Sequence, residues 1–584
     1  MEQTKNKKFI WDVVFLILFA GSAWLLIWKC RYGFANMDES FYLTVPYRMV
    51  QGDSLFAQEW HLTQMAGFLL YPIMKIYTMT HAGMEGIFLT FRYIYSAFQI
   101  LVTLFIYYRL RKISRPGAIC ASIVFMLYAP FGIMALSYNS LGIANLAIAL
   151  VIMCTAKKIK WLQEMIAGLF FAAAVLCCPY LIAVYVVYII AVVAACIYRK
   201  VKGKAAGDTP FRLKSLIFFT IGAAVLAVIF AAYILFKSGI QKVIASLPYI
   251  LNDSAHETKG AVQLVITYFK SVMSVSKAAA LCYLQQAVLF IAALILRIRK
   301  NSKLDTVLFA ASCVLTAVAI IFTYIRGNYF NFIMYPVCIM APACALICKD
   351  RRAVRLLLSF WIPSMLFTLC IHAASNMEFY AISSAAAVAV VPTLMIDAMC
   401  AEEIFRERGR VAGFIAAVCA AVILAGQVGL TTYMKYKTVF WGSMDILVDE
   451  PQENGVEKGL YLPESAVAQY DLTQRISGFI DDNYPGEKEM LLLSGCTWIY
   501  LECYDKYNAS FSAWLADFDE TGLSLDRNTM DKLLGYYEIN PQKIPDLVFV
   551  ESQYFEYIDD IKTLADYNVV ETDFDGAFLM ERKK

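Results

Sequence analysis

Charge is scarce in this sequence: Asp, Glu, Lys and Arg make up 17% of its 584 residues, against 60% hydrophobic residues and a mean hydropathy of +0.58. So little charge excludes a soluble multidomain protein of this length and calls for lipid as solvent. Histidine is rarer still, with four in the chain, and no C-x-x-C occurs, which argues against a built-in His/Cys metal centre. A Gly-rich phosphate loop is absent too, so nothing points to nucleotide binding, and no feature suggests a nucleic-acid partner. Most of the sixteen cysteines fall inside or at the edges of apolar runs, where they act as small hydrophobes. Only Cys496 and Cys503 stand together in a polar region; an oxidising compartment would let them pair, but two partly buried free thiols are the plainer expectation. Lys5, Lys7 and Lys8 precede an apolar run at 13–28, yet no small-x-small cleavage site follows cleanly, so the run is expected to remain as a first span.

Charge of each sign is unevenly placed. Residues 1–439 hold 40 Lys and Arg against 18 Asp and Glu, a net +22, whereas 440–584 hold 11 against 29, a net −18. A basic membrane part is what positive cytoplasmic loops produce, and an acidic tail with ordinary patterning reads as a solvated domain.

After the first run, apolar stretches recur at 86–108, 116–136, 139–156, 161–178, 180–198, 215–236, 278–296, 304–325, 329–348, 354–373, 379–398 and 411–432. Together they predict about thirteen transmembrane helices. Lys and Arg cluster at every second connection, near 109–115, 157–160, 199–214, 297–303, 349–355 and 406–410; with the N-terminus these hold 27 of the 40 basic residues. The alternation supports the count and puts the N-terminus in the cytoplasm of a multi-pass plasma (cytoplasmic) membrane protein, with the C-terminal domain outside. Two outer segments are long, about 30–85 and 237–277. The first contains 64–79, apolar but interrupted by Pro72 and Lys75, and fits helices lying on the outer surface. The second runs through 244–251 into the polar patch 252–259.

From 440 the grammar changes to short strands and amphipathic helices. Residues 490–493 and 546–550 read as buried strands, 497–506 and 555–567 as helix, and 568–582 as closing strands around Asp575-Gly576. The fold class is therefore a polytopic α-helical membrane domain, 1–439, followed by a small extracytoplasmic α/β domain, 440–584, covering its outer mouth.

Just past the first span comes Asn36-Met37-Asp38-Glu39-Ser40-Phe41-Tyr42, two adjacent carboxylates at the membrane boundary. Acids so close to a bilayer tend to face a cavity, a partner or an ion. A carboxylate here can take a proton from an acceptor hydroxyl or hold a divalent metal such as Mg or Mn; an ordinary solvated turn is the plainer alternative. Then follow Tyr47-Arg48-Met49-Val50-Gln51-Gly52-Asp53, Glu59-Trp60-His61-Leu62-Thr63, and Phe91-Arg92-Tyr93 early in the second span. An arginine there needs an anionic partner; a structural pair with Glu85 or a snorkelling side chain would also account for it.

This succession over about 35–95 resembles the first outer loop of GT-C membrane glycosyltransferases, especially the protein O-mannosyltransferase and lipid A aminoarabinose transferase group. The thirteen-helix layout with an outer C-terminal domain is similar to that group as well. The resemblance implies a sugar transferred from a polyprenyl-phosphate donor, a membrane lipid, to a hydroxyl of an envelope glycan, lipid or protein. It makes Asp38 the catalytic base and Glu39 its partner in acceptor or metal binding, with His61 near the acceptor or the donor phosphate and Arg92 helping to hold that phosphate. The chain departs from the family where a His-Pro-Pro type element reads His61-Leu62-Thr63, with proline delayed to Pro72. Among other outer cations, Lys242, Lys259 and Arg326, the last sits at the mouth between two spans and is the best additional phosphate partner. The turns at Tyr138-Asn139, Asn328 with Asn331, and Asn376 with Glu378 read as helix caps rather than a sugar pocket.

The rival class is a transporter or flippase, which would show internal repeats and polar residues at mid-membrane. Neither is evident in the sequence. A polysaccharide polymerase would carry its large outer loop mid-chain, and a non-catalytic envelope-assembly protein is the third alternative.

Overall fold

The structure is a computed structural model, which describes residues 2–156, 160–203, 211–251, 260–299, 303–327, 330–440, 442–515, 517–519, 522–524, 527–572, 574 and 576–583. The chain is a polytopic α-helical membrane protein with a small C-terminal α/β region. Eleven helices among the described residues are long and apolar enough to cross a bilayer, from Lys8–Lys29 to Arg410–Lys437. Two of the thirteen expected spans take another form. Arg115–Leu127 is a short apolar helix of 13 residues followed by extended backbone and a turn at Pro130–Gly132. The expected span at 329–348 is divided into Tyr335–Cys338 and Ala341–Ile347. Prolines explain both: Pro130 ends one helix, and Pro336 and Pro342 each occupy the first turn of a new one. Both segments are almost wholly buried, the setting in which irregular backbone is tolerated at membrane depth.

Glu378–Glu407 runs through the centre and is buried along nearly all its length. Its run of alanines and valines lets neighbours approach from every side, as expected of a helix that is apolar all round. The closest crossing joins Lys160–Cys177 to Leu213–Tyr233. A Cβ placed on Gly168 would overlap the Phe219 carbonyl, and one on Gly222 would overlap the Met165 carbonyl. Only glycine permits that backbone contact.

At one end of the bundle lie the two long segments. The first folds as helices Asn36–Gln51 and Ala66–Thr80, the second as Ile240–Leu251 and Ala261–Ser274. The patch 252–259, with Lys259, lies outside the described residues, as does Asn328.

The C-terminal region has a five-stranded sheet in the order Lys506–Asn508, Lys488–Leu493, Leu547–Glu551, Ala577–Arg582, Tyr567–Val570. The first three strands are parallel, and the last two form an antiparallel hairpin against them. Helices Glu464–Asn483 and Arg527–Ile539 complete it. The expected helix over 497–506 shrinks to Ile499–Glu502, because Lys506–Asn508 is recruited as a strand beside Lys488–Leu493. Cys496 and Cys503 are buried free thiols.

This region is fastened to the mouth of the bundle. Gly33 N donates to Tyr461 O at 2.9 Å and Tyr461 N to Arg31 O at 2.7 Å, Gly86 N donates to Gly455 O at 2.8 Å, and Trp60 N donates to Phe511 O at 2.8 Å. Asp53 bridges the two parts, accepting from Arg48 Nε and pairing with Lys543 Nζ, each at 2.9 Å. Arg48 also meets Glu59 at 2.7 Å and the Ser510 carbonyl at 2.8 Å, and Lys543 meets Glu489 at 3.0 Å. All these side chains are buried or nearly so, so the network fixes the region's position rather than decorating a surface.

Candidate functional site

The first span ends at Lys29, and the carbonyls of the turn that follows it need donors. Arg92, six residues into Ile87–Leu110, supplies them: Nη1 donates to Cys30 O at 2.8 Å and Nη2 to Gly33 O at 2.9 Å. Its other donors grip Glu39 as a fork, Nε to Oε1 and Nη2 to Oε2, both at 2.6 Å. Arg92 is 4% exposed and Glu39 1%. The pair therefore joins three elements: the end of the first span, the start of helix Asn36–Gln51 and the second span. Bidentate geometry makes this a strong buried pair. Glu85, the alternative partner considered for Arg92, is instead paired with Lys458 at 2.9 Å.

Asp38 points elsewhere, since successive residues on a helix stand 100° apart. Its Oδ1 accepts from Tyr42 Oη at 3.2 Å, and Tyr42 meets the ring of Tyr138 edge-on at 5.8 Å. Asp38 keeps some exposure while its neighbours are buried. Burial pushes its carboxyl up to about 7; the Tyr42 hydrogen bond opposes the shift and the Glu39 charge adds to it. A partly accessible carboxyl poised near neutrality is suited to proton transfer.

Above this helix lies the C-terminal region. Ser40 Oγ contacts Thr497 Oγ1, and Phe34 packs edge-on against Trp498 at 5.5 Å. Thr497 and Trp498 follow the carboxyl end of strand Lys488–Leu493, the sheet edge where α/β folds tend to place ligands. His61 stands at 4.5 Å from the ring of Phe41, which also meets Trp514 at 6.2 Å. The His61 Nδ1 is hydrogen-bonded to Thr63 Oγ1 at 2.8 Å.

A cleft opens on the opposite flank of Glu39. It is lined by Lys29, Arg92 and Lys435, by Glu39, by Gly132–Met134 residues of the broken segment, and by Thr438–Phe440 residues after the last span. Lys29 and Lys435 are each 3% exposed. Glu457, from the loop of the C-terminal region that pairs with Phe88, is buried nearby, and burial pushes its carboxyl well above the usual range.

The structure thus brings Asp38, Glu39 and Arg92 to one place and sets His61 against Phe41. Arg326 is exposed at the end of its helix and does not line the cleft. Lys242 reaches Asn540 at 3.5 Å, at the edge of the C-terminal region. Both Glu39 oxygens face Arg92, and among the described residues no three of His, Cys, Asp and Glu converge as a metal site. Lys29, Lys435 and Glu457 were not anticipated. The two lysines end apolar runs, where such residues usually read as snorkelling anchors. No family model matches the chain, and no curated protein matches it.

Proposed function

We propose that this protein is a membrane glycosyltransferase of GT-C type. It would span the membrane about thirteen times when the two short buried segments are counted with the eleven long helices, with the N-terminus cytoplasmic and the C-terminal domain outside. Asp38 carries the reading: it is a carboxyl poised near pH 7 at the mouth of the bundle, on the helix whose next residue, Glu39, lines a cleft rich in positive charge.

In the proposed reaction the Asp38 carboxylate takes the proton of an acceptor hydroxyl. The acceptor oxygen bonds to the anomeric carbon, and the bond from that carbon to the donor's phosphate oxygen breaks. The electron pair leaves on phosphate as polyprenyl monophosphate, and positive charge at the cleft stabilises it. The Glu39–Arg92 fork would hold the helix bearing Asp38 in register with the second span. A donor on this face has to be lipid-borne, because nucleotide sugars are cytoplasmic. The panel test is direct: purified protein is incubated with polyprenyl-phosphate sugars and donor loss is measured for wild type and Asp38→Asn. The proposal expects turnover by wild type and its loss in the variant; equal turnover by both removes Asp38 from the mechanism.

A second reading, a proton-linked transporter, is favoured by one observation. Asp397 is fully buried in the central helix, with Oδ1 near Cys313 Sγ at 3.7 Å and Oδ2 lacking a hydrogen-bond partner. Solute uptake into proteoliposomes that fails in Asp397→Asn would favour it.

A further inference from the structure

The C-terminal region is held to the membrane part along two edges. One carries the Asp53 network; the other is the loop 454–461, which closes on the outer ends of the first two spans. Gly86 N and Phe88 N donate to Gly455 O and Val456 O at 2.8 and 3.4 Å, Tyr461 N donates to Arg31 O at 2.7 Å, and Gly33 N to Tyr461 O at 2.9 Å. The loop is seated as closely in the C-terminal region itself. Val456 N donates to Glu502 Oε1 at 2.9 Å, and Gly455, at φ +72°, lies so near Tyr470 and Gln474 that a Cβ there would overlap both.

At the centre of this loop Glu457 is 0% exposed, and neither carboxyl oxygen has a hydrogen-bond partner among the described residues. The polar groups around it are committed elsewhere. Tyr470 Oη donates to Asn454 O and Gln474 Nε2 to Glu502 Oε1, both at 2.6 Å. Arg92 directs its guanidinium to Glu39 and to the Cys30 and Gly33 carbonyls, and Arg31 Nε reaches Gly459 O at 3.4 Å. Lys458, the next residue, pairs outward with Glu85 at 2.9 Å. The other charges that act on Glu457, those of Glu39 and Glu502, have its own sign.

A carboxyl so placed is tolerated with its proton on. As a carboxylate it would be a buried, unpaired anion facing two more acids, which is costly. Burial accordingly pushes Glu457 well above the usual carboxylate range, and Glu502 up to about 7. Opening the loop puts Glu457 in water, where it ionises at ordinary pH. The closed loop therefore holds a proton that the open one releases, and closure weakens as pH rises.

We infer that the loop 454–461 is a proton-operated clasp: with Glu457 protonated it fastens the C-terminal region to the first two spans, and loss of that proton to solvent releases it. Release is one-sided, because the Asp53 network still fastens the other edge. It frees Thr497 and Trp498 from Ser40 and Phe34, and so uncovers the helix that bears Asp38. The clasp requires no sugar, donor or transfer, and stands apart from the transferase proposal.

Hydrogen exchange of the full chain in nanodiscs tests it, with rates corrected for the intrinsic pH dependence of amide exchange. Between pH 7.5 and 9 Glu502 has finished titrating, so the release of one proton on opening lowers the protection of amides at 86–88 and 454–461 about tenfold per pH unit. Wild type and Glu502→Gln are expected to show this fall. Glu457→Gln, isosteric and unable to ionise, is expected to keep its pH 7.5 protection throughout, and Glu457→Met gives the same reading if the Gln variant fails to fold. Strand amides at 547–551 should stay protected across the range. Wild-type protection that is flat with pH, a fall that persists without the Glu457 carboxyl or disappears with that of Glu502, or an equal fall at 547–551 overturns the inference.

Discussion

Arg92→Met would strand Glu39 in a setting where it is 1% exposed, and the consequence can be worked out from the contacts. The substitution removes two charge-assisted hydrogen bonds of 2.6 Å and leaves the Cys30 and Gly33 carbonyls without their donors. Breaking a buried pair from one side typically costs about 3–5 kcal/mol, because the remaining charge is desolvated and unpaired. Removing both charges is cheaper. Glu39→Gln with Arg92→Met leaves chiefly the two carbonyl bonds unmade, at about 1–3 kcal/mol together. The double variant should therefore be about 2 kcal/mol more stable than Arg92→Met alone, and the two substitutions non-additive. Equilibrium unfolding in mixed micelles of mild detergent and dodecyl sulfate measures all four corners of the cycle. Additive effects, or a loss below about 1 kcal/mol for Arg92→Met, would show that the fork does not hold these three elements together.

Other consequences follow from different parts of the molecule. Asp38 binds its proton more tightly folded than unfolded, with a carboxyl raised from 3.8 to about 7. Its contribution to stability is thus full below about pH 4 and lost as pH rises through 7. Asp38→Asn should escape this loss and unfold later than wild type at pH 8, by at most about 4 kcal/mol at 1.36 kcal/mol per pH unit; equal pH profiles would contradict the burial of Asp38. Gly222→Ala should cost about 1–3 kcal/mol by overpacking against Met165, whereas Gly21→Ala, with open space around it, should not; their unfolding midpoints in the same micelles decide this. Asp53→Ala should cost about 2–4 kcal/mol by leaving Arg48 and Lys543 short of a carboxylate. Hydrogen exchange should then rise at 506–511 and 541–545, and unchanged exchange would show that the network does not fasten the C-terminal region.

The parts of the fold that were legible in sequence are those where local chemistry and tertiary role coincide. Apolar runs long enough to span became long helices, and 490–493 and 546–550 became neighbouring parallel strands. Hydropathy gave no sign that the helices at 116–136 and 329–348 would be short and broken, because it sums apolarity and ignores the prolines that break the backbone inside a run. At the site, Asp38, Glu39 and Arg92 were visible as charges at a membrane boundary, but which carboxylate Arg92 would take was a matter of helix phase and packing. Lys29 and Lys435 could have been flagged. They are among the 13 basic residues, 40 less 27, that fall outside the alternating loops, which sets them apart from the cytoplasmic charge pattern. Glu457 left no such mark, since its burial arises only when the C-terminal region closes over the mouth.

The transferase account is tested most directly by the pH dependence of sugar transfer from a polyprenyl-phosphate donor, measured in single turnover for wild type, Asp38→Glu and Asp38→Asn. The account predicts wild-type transfer that falls away as pH drops below about 7, where Asp38 gains its proton, residual transfer in Asp38→Glu and none in Asp38→Asn. Transfer by Asp38→Asn at the wild-type rate, or a wild-type profile flat from pH 5 to 9, would contradict it.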